Sequence, residues 1–374
     1  LILKVNRVEF LKRLRIAEKA ISDNKIRPII SCVYLEAKNN EIFFCGTNLE
    51  LTINTTMMCE VLEEGKVVFQ HQLVDEYLKE ISDEFVTLNV KENSLIIETE
   101  DSSSEFAIMD AEDFPKINKD FSAEPEMKFS ITKEELTEVF EKIKFSASVS
   151  SDNLSINCIR LEIEENKMRF ISTDTYRLTF LEKEIEAQGN LTVSIPLNTV
   201  EALSKLLKGN NENEIEFFFE NKQLYFYLDD VLVISRVIDL PFPNYRGILG
   251  GVTYTKRIFV NSEEMTKMLK RIQIFVRNNT ESKFGAIFEL KENILEIRGV
   301  NDIAKVKETL EIDYQGEPMK ISLNVKFLLD FIQNIPKDQN VSLELTNSNS
   351  AVRVKDLEEE NYIYIVMPLA LRDC

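Results

Sequence analysis

The chain has 374 residues, 44% of them hydrophobic and 29% charged, enough for roughly two to four domains with apolar cores of their own. Acidic residues number 64 against 45 basic, a net charge of -19, so a uniform surface would repel a polyanion and DNA can bind only where positive charge is gathered. A single His, no Trp and 10 Gly exclude His-based triads, multi-His metal sites and the common Gly-rich nucleotide cradles. The first periodic segment spaces Phe10, Leu14, Ala17 and Ile21 at i, i+4, i+7 and i+11, which predicts a helix with one buried face. Its opposite face carries Lys12, Arg15 and Lys19. A block Gly46-Thr-Asn-Leu-Glu-Leu-Thr52 follows, then a helical stretch from Phe69 to Ile81, with His71 near its start as a surface helix-end residue. Strand patterns at Val86–Val90 and Leu95–Thr99 flank the polar turn Lys91–Ser94 and read as a hairpin, and Ala111-Glu-Asp-Phe-Pro-Lys-Ile117 closes the first third.

The same order then recurs. Thr132 is placed to N-cap a helix whose buried stripe is Leu136, Phe140, Ile143 and Ala147, with Glu138 and Glu141 where the first helix has bases. Next come Ser172-Thr-Asp-Thr-Tyr-Arg-Leu178, a helix over Ile195–Leu207 bearing Lys205 and Lys208, strands at Ile215–Phe219 and Leu224–Leu228, and Asp239-Leu-Pro-Phe-Pro-Asn-Tyr245. In the last third Ser262 is the expected N-cap of a helix with Met265, Leu269, Ile272 and Val276 buried and Lys267 and Lys270 opposite. Gly299-Val-Asn-Asp-Ile303, a helix over Leu323–Ile335 and a strand at Val341–Leu345 complete that third. One grammar three times over predicts an α+β chain of three tandem domains, at residues 1–125, 126–253 and 254–374. The basic helix faces suit phosphate contact without base reading, or are simply solvated.

Ile171-Ser-Thr-Asp-Thr-Tyr-Arg-Leu178, Phe242-Pro-Asn-Tyr-Arg246, Ile363-Tyr-Ile-Val-Met-Pro-Leu369 and Asp110-Ala-Glu-Asp-Phe-Pro115, in that setting, resemble the bacterial DNA polymerase III beta subunit family, the sliding clamps, over the whole chain. The resemblance implies a head-to-tail homodimer whose six domains close into a ring, helices inside and antiparallel sheets outside. It implies a non-enzymatic processivity factor of DNA replication that encircles double-stranded DNA without regard to sequence. Lys12, Arg15, Lys19, Lys205, Lys208, Lys267 and Lys270 would then face the duplex, with Lys25 and Arg27 as loop candidates. It further implies a pocket for a short hydrophobic peptide carried by the DNA polymerase III alpha subunit, the clamp loader and repair proteins. Ile156, Thr173, Thr175, Tyr176, Arg177, Leu178, Pro243, Gly247, Ile248, Asn349, Ala351, Ile365, Val366, Met367, Pro368 and Leu369 match that pocket. Thr175 and Tyr176 stand where Gly and His are common, Gly247 where a base is common, and Ala370–Cys374 replace a short Arg-Leu ending. For the dimer interface the resemblance points to Phe106 and Ile108, as exposed apolar residues alternating on an edge strand, meeting partners near Phe275 and Val276.

Read without the family, Ile365–Met367 is a last core strand. A carboxylate hydrolase using Glu112/Asp113 or Asp229/Asp230 is disfavoured, because acids in turns of a Trp-free chain do not make a sugar cleft. A clamp-fold peptide scaffold that does not encircle DNA stays open on the strength of the acidic second-repeat helix. No cofactor, metal or catalytic residue is expected. Cys32, Cys45, Cys59, Cys158 and Cys374 form no CxxC pair and are expected to be reduced thiols. With no apolar run of ~18 residues and a charged start, the chain is expected to have no membrane partner and to be cytoplasmic.

Overall fold

A computed structural model describes residues 1–117, 125–186, 189–208, 213–280 and 282–370; the expected departure at Leu371–Cys374 lies outside them. The first repeat runs β1 (Ile2–Asn6), α1 (Arg7–Glu18), β2 (Cys32–Lys38), β3 (Glu41–Thr47), β4 (Leu51–Met58), β5 (Glu60–Glu63), β6 (Gly65–Gln70), α2 (His71–Glu80), β7 (Phe85–Lys91), β8 (Ser94–Glu98) and β9 (Ser103–Met109). The second runs β10 (Met127–Thr132), α3 (Lys133–Ile143), β11 (Cys158–Glu164), β12 (Lys167–Thr173), β13 (Arg177–Glu184), β14 (Leu191–Pro196), α4 (Leu197–Leu207), β15 (Glu214–Glu220), β16 (Gln223–Leu228), β17 (Val231–Arg236) and α5 (Tyr245–Gly250). The third runs β18 (Lys256–Asn261), α6 (Ser262–Val276), β19 (Gly285–Lys291), β20 (Ile294–Val300), β21 (Lys305–Glu311), β22 (Met319–Asn324), α7 (Val325–Ile332), β23 (Asn340–Leu345), β24 (Val352–Asp356) and β25 (Tyr362–Val366).

Short-range chemistry starts each long helix. Asn6 Oδ1 accepts from Val8 N and Glu9 N at 3.1 and 3.2 Å, and Thr132 and Glu135 form a reciprocal box, Glu135 N to Thr132 Oγ1 and Thr132 N to Glu135 Oε2, both 3.2 Å. The α6 cap corrects the sequence expectation. Asn261, not Ser262, accepts from Glu263 N and Glu264 N, while the buried Ser262 hydroxyl donates to Pro336 O at 2.6 Å. Two stripe ends are also corrected: Ile21 and Ala147 fall beyond α1 and α3, because the chain leaves the helix after Glu18 and tightens to a 3-10 turn over Lys144–Ser146. His71 does open α2 but is half-buried, with Nε2 3.5 Å from Glu18.

The thrice-repeated block is a turn with a reason for each residue. Asn48, Asp174 and Asn301 each use Oδ1 to accept two backbone N–H groups, those of residues two and three positions on. Gly46 is required by close approach, since a Cβ there would sit 2.1 Å from Ala17 O at the end of α1. At the matching place Ser172 instead donates to Ile143 O, 2.6 Å, at the end of α3. The motif legible in sequence is therefore the seam where each repeat's first helix docks on its sheet.

The chain folds as two compact units, Leu1–Thr137 with Asn198–Val237, and Glu138–Leu197 with the chain from Ile238 on. Within the first, one antiparallel sheet runs β10-β15-β16-β17-β4-β3-β2-β6-β9-β8-β7-β1-β5; within the second, β14-β11-β12-β13-β25-β24-β23-β18 and β21-β20-β19-β22 form separate sheets. The middle repeat lends strands to both units because sheets continue through its junctions, β4 pairing β17 and β13 pairing β25. In the first unit Phe10, Leu14 and Ala17 of α1 pack on Leu35, Phe44, Phe69, Leu78 and Phe106, with Phe10 edge-on to Phe44 at 5.3 Å. Phe106 is thus a core residue, 9% exposed, which corrects its reading as exposed. It and Ile108 share the inner face of β9, and Glu105, Ala107 and Met109 point out. Val276 is fully buried, as its place in the α6 stripe predicts, whereas Ile274 is exposed and Phe275 half-buried.

Candidate functional site

In the second unit, adjacent strands gather one group of the expected pocket residues. The β13/β25 ladder sets Arg177 opposite Val366 and Leu178 opposite Ile365, and β24 brings Val352 to Val366. On one face Leu178, Ala351 and Ile365 join Ile171 and Tyr245 in a small apolar cluster, flanked by partly buried Phe180, Phe242, Leu249, Val252 and Ile363. Around it stand exposed apolar side chains: Tyr176, Ile248 and Met367 are 62%, 40% and 42% accessible. Met367 N donates to Tyr176 O at 2.8 Å, so these two side chains leave neighbouring backbone, and Leu369 N donates to Ser322 O at 2.8 Å. Half-buried Pro368 and Leu369 thereby strap the end of β25 to β22.

The remaining pocket residues divide by burial. Thr175, Gly247 and Asn349 are exposed and Pro243 half-buried. Ile156, Thr173 and Val366 are buried and act as structure: Ile156 O accepts from Ser148 N at 3.1 Å, and Thr173 Oγ1 donates to Arg177 O at 2.6 Å. Arg177 is drawn inward. Its guanidinium is 9% exposed and committed to Asp174 and Asp330 at 2.8 and 2.7 Å, with Phe327's ring centroid 4.2 Å away, so it stiffens the turn over Thr173–Arg177. In that turn Thr175 holds φ 80°, a conformation natural to glycine and strained for a β-branched residue.

Tyr245, Phe180, Phe242 and Leu249 belong to this surface and escaped the sequence reading. A carboxylate secures them. Glu162 Oε2 accepts from Tyr245 Oη at 2.7 Å and from Arg246 at 2.6 Å, and Tyr245 stacks on Phe180 at 6.0 Å. Although burial opposes its charge, the Tyr245 hydroxyl and the Arg246 guanidinium hold Glu162 below the usual carboxylate range. The Tyr-Arg dipeptide after Phe-Pro was the available signal, but its partner lies in β11, which no local pattern indicates.

The first unit collects the basic residues. Lys12, Arg15, Lys19 and Lys205 border a cavity of about 560 Å³, together with Arg7, Arg13 and Lys79, which the helical wheel had not selected. Lys208, Lys25 and Arg27 are exposed elsewhere on this unit, the latter two on a turn where Asn24 Oδ1 accepts from Ile26 N and Arg27 N. In the second unit Lys267, 3.0 Å from Glu263, and Lys270 are exposed on α6. Of the two acids on the α3 face, Glu138 pairs with Lys142 and, at 3.5 Å, Lys183, while Glu141 is exposed.

Three family descriptions match in order: DNA polymerase III beta subunit N-terminal domain at residues 1–118, central domain at 130–244 and C-terminal domain at 252–370. The chain belongs to the DNA polymerase III beta subunit family. Similar curated proteins are beta sliding clamps from Mycoplasma capricolum subsp. capricolum, 26% identical, and Haemophilus influenzae, 25% identical; the first alignment covers 98% of each chain, the second 98% of this chain and 99% of the other. The crystal structure of the Thermotoga maritima DNA polymerase III beta subunit is similar at TM-score 0.89 and 25% identity, over 99% of this chain and all of that one. This beta sliding clamp is accordingly the non-catalytic processivity factor of DNA polymerase III, working on DNA with the polymerase. Among its described residues no helix is long and apolar enough to cross a membrane, and no group of three or more His, Cys, Asp or Glu is placed to hold a metal ion.

Proposed function

We propose that two copies of this clamp close head to tail into a ring of six repeats around duplex DNA in the cytoplasm, the basic faces of α1 and α6 toward the phosphates. The cluster beside Met367 is the groove for a hydrophobic peptide of the DNA polymerase III alpha subunit, the clamp loader and other clamp-binding proteins. The observation that carries the ring is an unused copy of a junction. β4 pairs with β17 and β13 with β25 in matching registers, Leu51 opposite Ser235 and Arg177 opposite Val366. Their third-repeat counterpart, β21, is an edge strand. The first-repeat counterpart of β17 and β25 is β9, which over Ser103–Ala107 pairs on one side with β8 and joins β6 only at Ile108 and Met109. Repeating the junction register between two copies sets Phe106 opposite Ala304, Glu105 opposite Lys305 and Ser104 opposite Val306. Two open edges that complement each other are an interface in waiting, and head-to-tail use of both closes the ring.

Enclosure holds DNA with little direct affinity, which suits a net charge of -19. The test is topological. Clamp loaded on nicked circular DNA should be retained and should run off after linearisation; equal retention on both forms would sink the ring and leave the non-encircling peptide scaffold.

A further inference from the structure

We propose that the cavity bordered by α1, α4 and the β16–β17 turn is a seat for a small phosphorylated organic anion of the nucleoside polyphosphate class. At about 560 Å³ it has the size of a small-molecule site. Its charge is unbalanced. Seven bases line it against two acids, Asp229 and Asp230, and Asp230 pairs with Arg13; Arg7 is committed to the carbonyls of Leu78 and Asp83 at 3.1 and 2.8 Å. Arg15 and Lys79 share the single carboxylate of Asp75, at 2.6 and 2.7 Å. Lys205 holds no ion pair among the described residues, and Lys19 donates only to Arg15 O, at 2.9 Å. Burial lowers the Lys19 pKa; the neighbouring Glu18 carboxylate opposes the shift, and the charges of Lys205 and Arg15 add to it.

The other wall is aliphatic, with Leu11, Ile16, Leu206 and Val231 facing the same space. Inorganic phosphate would use only the cations. A nucleoside polyphosphate uses both surfaces, its phosphates spanning Arg15, Lys19 and Lys205 and its base resting on the aliphatic side. Backbone phosphates of a duplex offer the same chemistry on a convex rod, which suits an open helix face better than a recess between a helix and a hairpin. Because Lys12, Arg15 and Lys19 also belong to the proposed DNA-facing row, an occupied seat withdraws positive charge from that row; this consequence rests on the ring reading, whereas the seat itself does not.

Isothermal titration of the full-length clamp at low salt with dATP, pyrophosphate, deoxyadenosine and a short duplex separates the sources. The expected order is dATP tighter than pyrophosphate, with deoxyadenosine not binding. Lys19→Gln and Lys205→Ala each weaken dATP at least tenfold, while Lys267→Ala with Lys270→Ala leaves it unchanged. Circular dichroism of each variant matching the parent excludes misfolding as the cause. The proposal is overturned if dATP fails to bind at millimolar concentration, or if the α6 variant weakens it as much as Lys19→Gln. It is equally overturned if only the duplex binds in a Lys19- and Lys205-dependent way, which would make the recess a DNA contact. The linearisation assay reports on the ring independently of all these outcomes.

Discussion

Thr175 is where this chain departs most visibly in backbone terms. A β-branched residue at φ 80° costs on the order of 1–3 kcal/mol, tolerated because Thr173 Oγ1, Asp174 Oδ1 and Arg177's paired guanidinium over-determine the turn. Thr175→Gly should therefore stabilise the chain by about 1 kcal/mol once glycine's unfolded-state entropy is subtracted, a gain readable in the denaturant midpoint; a loss would show that the strain is absent. Met367 carries the binding prediction. Its side chain stands exposed beside Tyr176 above an apolar floor, and an adaptable thioether suits leucine or phenylalanine of a peptide. Met367→Asp should weaken a polymerase-derived peptide at least a hundredfold by fluorescence anisotropy while leaving the oligomer unchanged, and undiminished affinity would move the groove elsewhere. At this scale Met367 was visible in sequence because its motif is contiguous. The burial of Arg177 was not legible, because the Asp330 that pairs with it is remote in the chain.

Among the elements, α5 depends on a single carboxylate. Glu162 in β11 anchors it through Tyr245 and Arg246, and the folded-state pKa of that glutamate lies below its ordinary value. A depressed carboxylate stabilises fully above its unfolded value of about 4.3, and the stabilisation is lost as pH falls through the folded value. Acid should therefore loosen α5 and the groove floor it helps form. Glu162→Gln should cost about 1–2 kcal/mol at neutral pH and should flatten the wild-type loss of stability below pH 4.3. Thermal melts from pH 7 to 3 would show it, and parallel curves for the two proteins would refute the assignment. The helices themselves were legible, since period and caps are local, and even the mistaken cap at Ser262 was off by one residue. Their ends were less so: Ile21 and Ala147 continue the apolar period past the helix and pack from loops.

At the scale of the molecule the decisive feature is strand continuity between repeats. In the ring we propose, the repeated register sets Glu105 of one copy opposite Lys305 of the next, two exposed residues of opposite charge. Reversing one member places like charges together at both interfaces of a closed dimer. At up to ~1 kcal/mol each, Glu105→Lys should raise the dimer dissociation constant about tenfold in sedimentation, and Glu105→Lys with Lys305→Glu should restore it. Failure of the double variant to recover would refute the register.

What the sequence determined alone was periodic or contiguous: three α+β repeats, their helix stripes, the turn built on Asn48, Asp174 and Asn301, and the motifs of the beta subunit family. Only the tertiary structure decided which side chains are free to act. Phe106 proved to be core, Arg177 an internal brace, and the bases of α1 part of a recess shared with Lys205 and the β16–β17 turn. The physical reason is range. Secondary structure and turns follow from interactions a few residues apart, whereas burial and charge balance depend on partners such as Arg13 and Asp230 or Glu162 and Tyr245, which meet only when the sheets assemble.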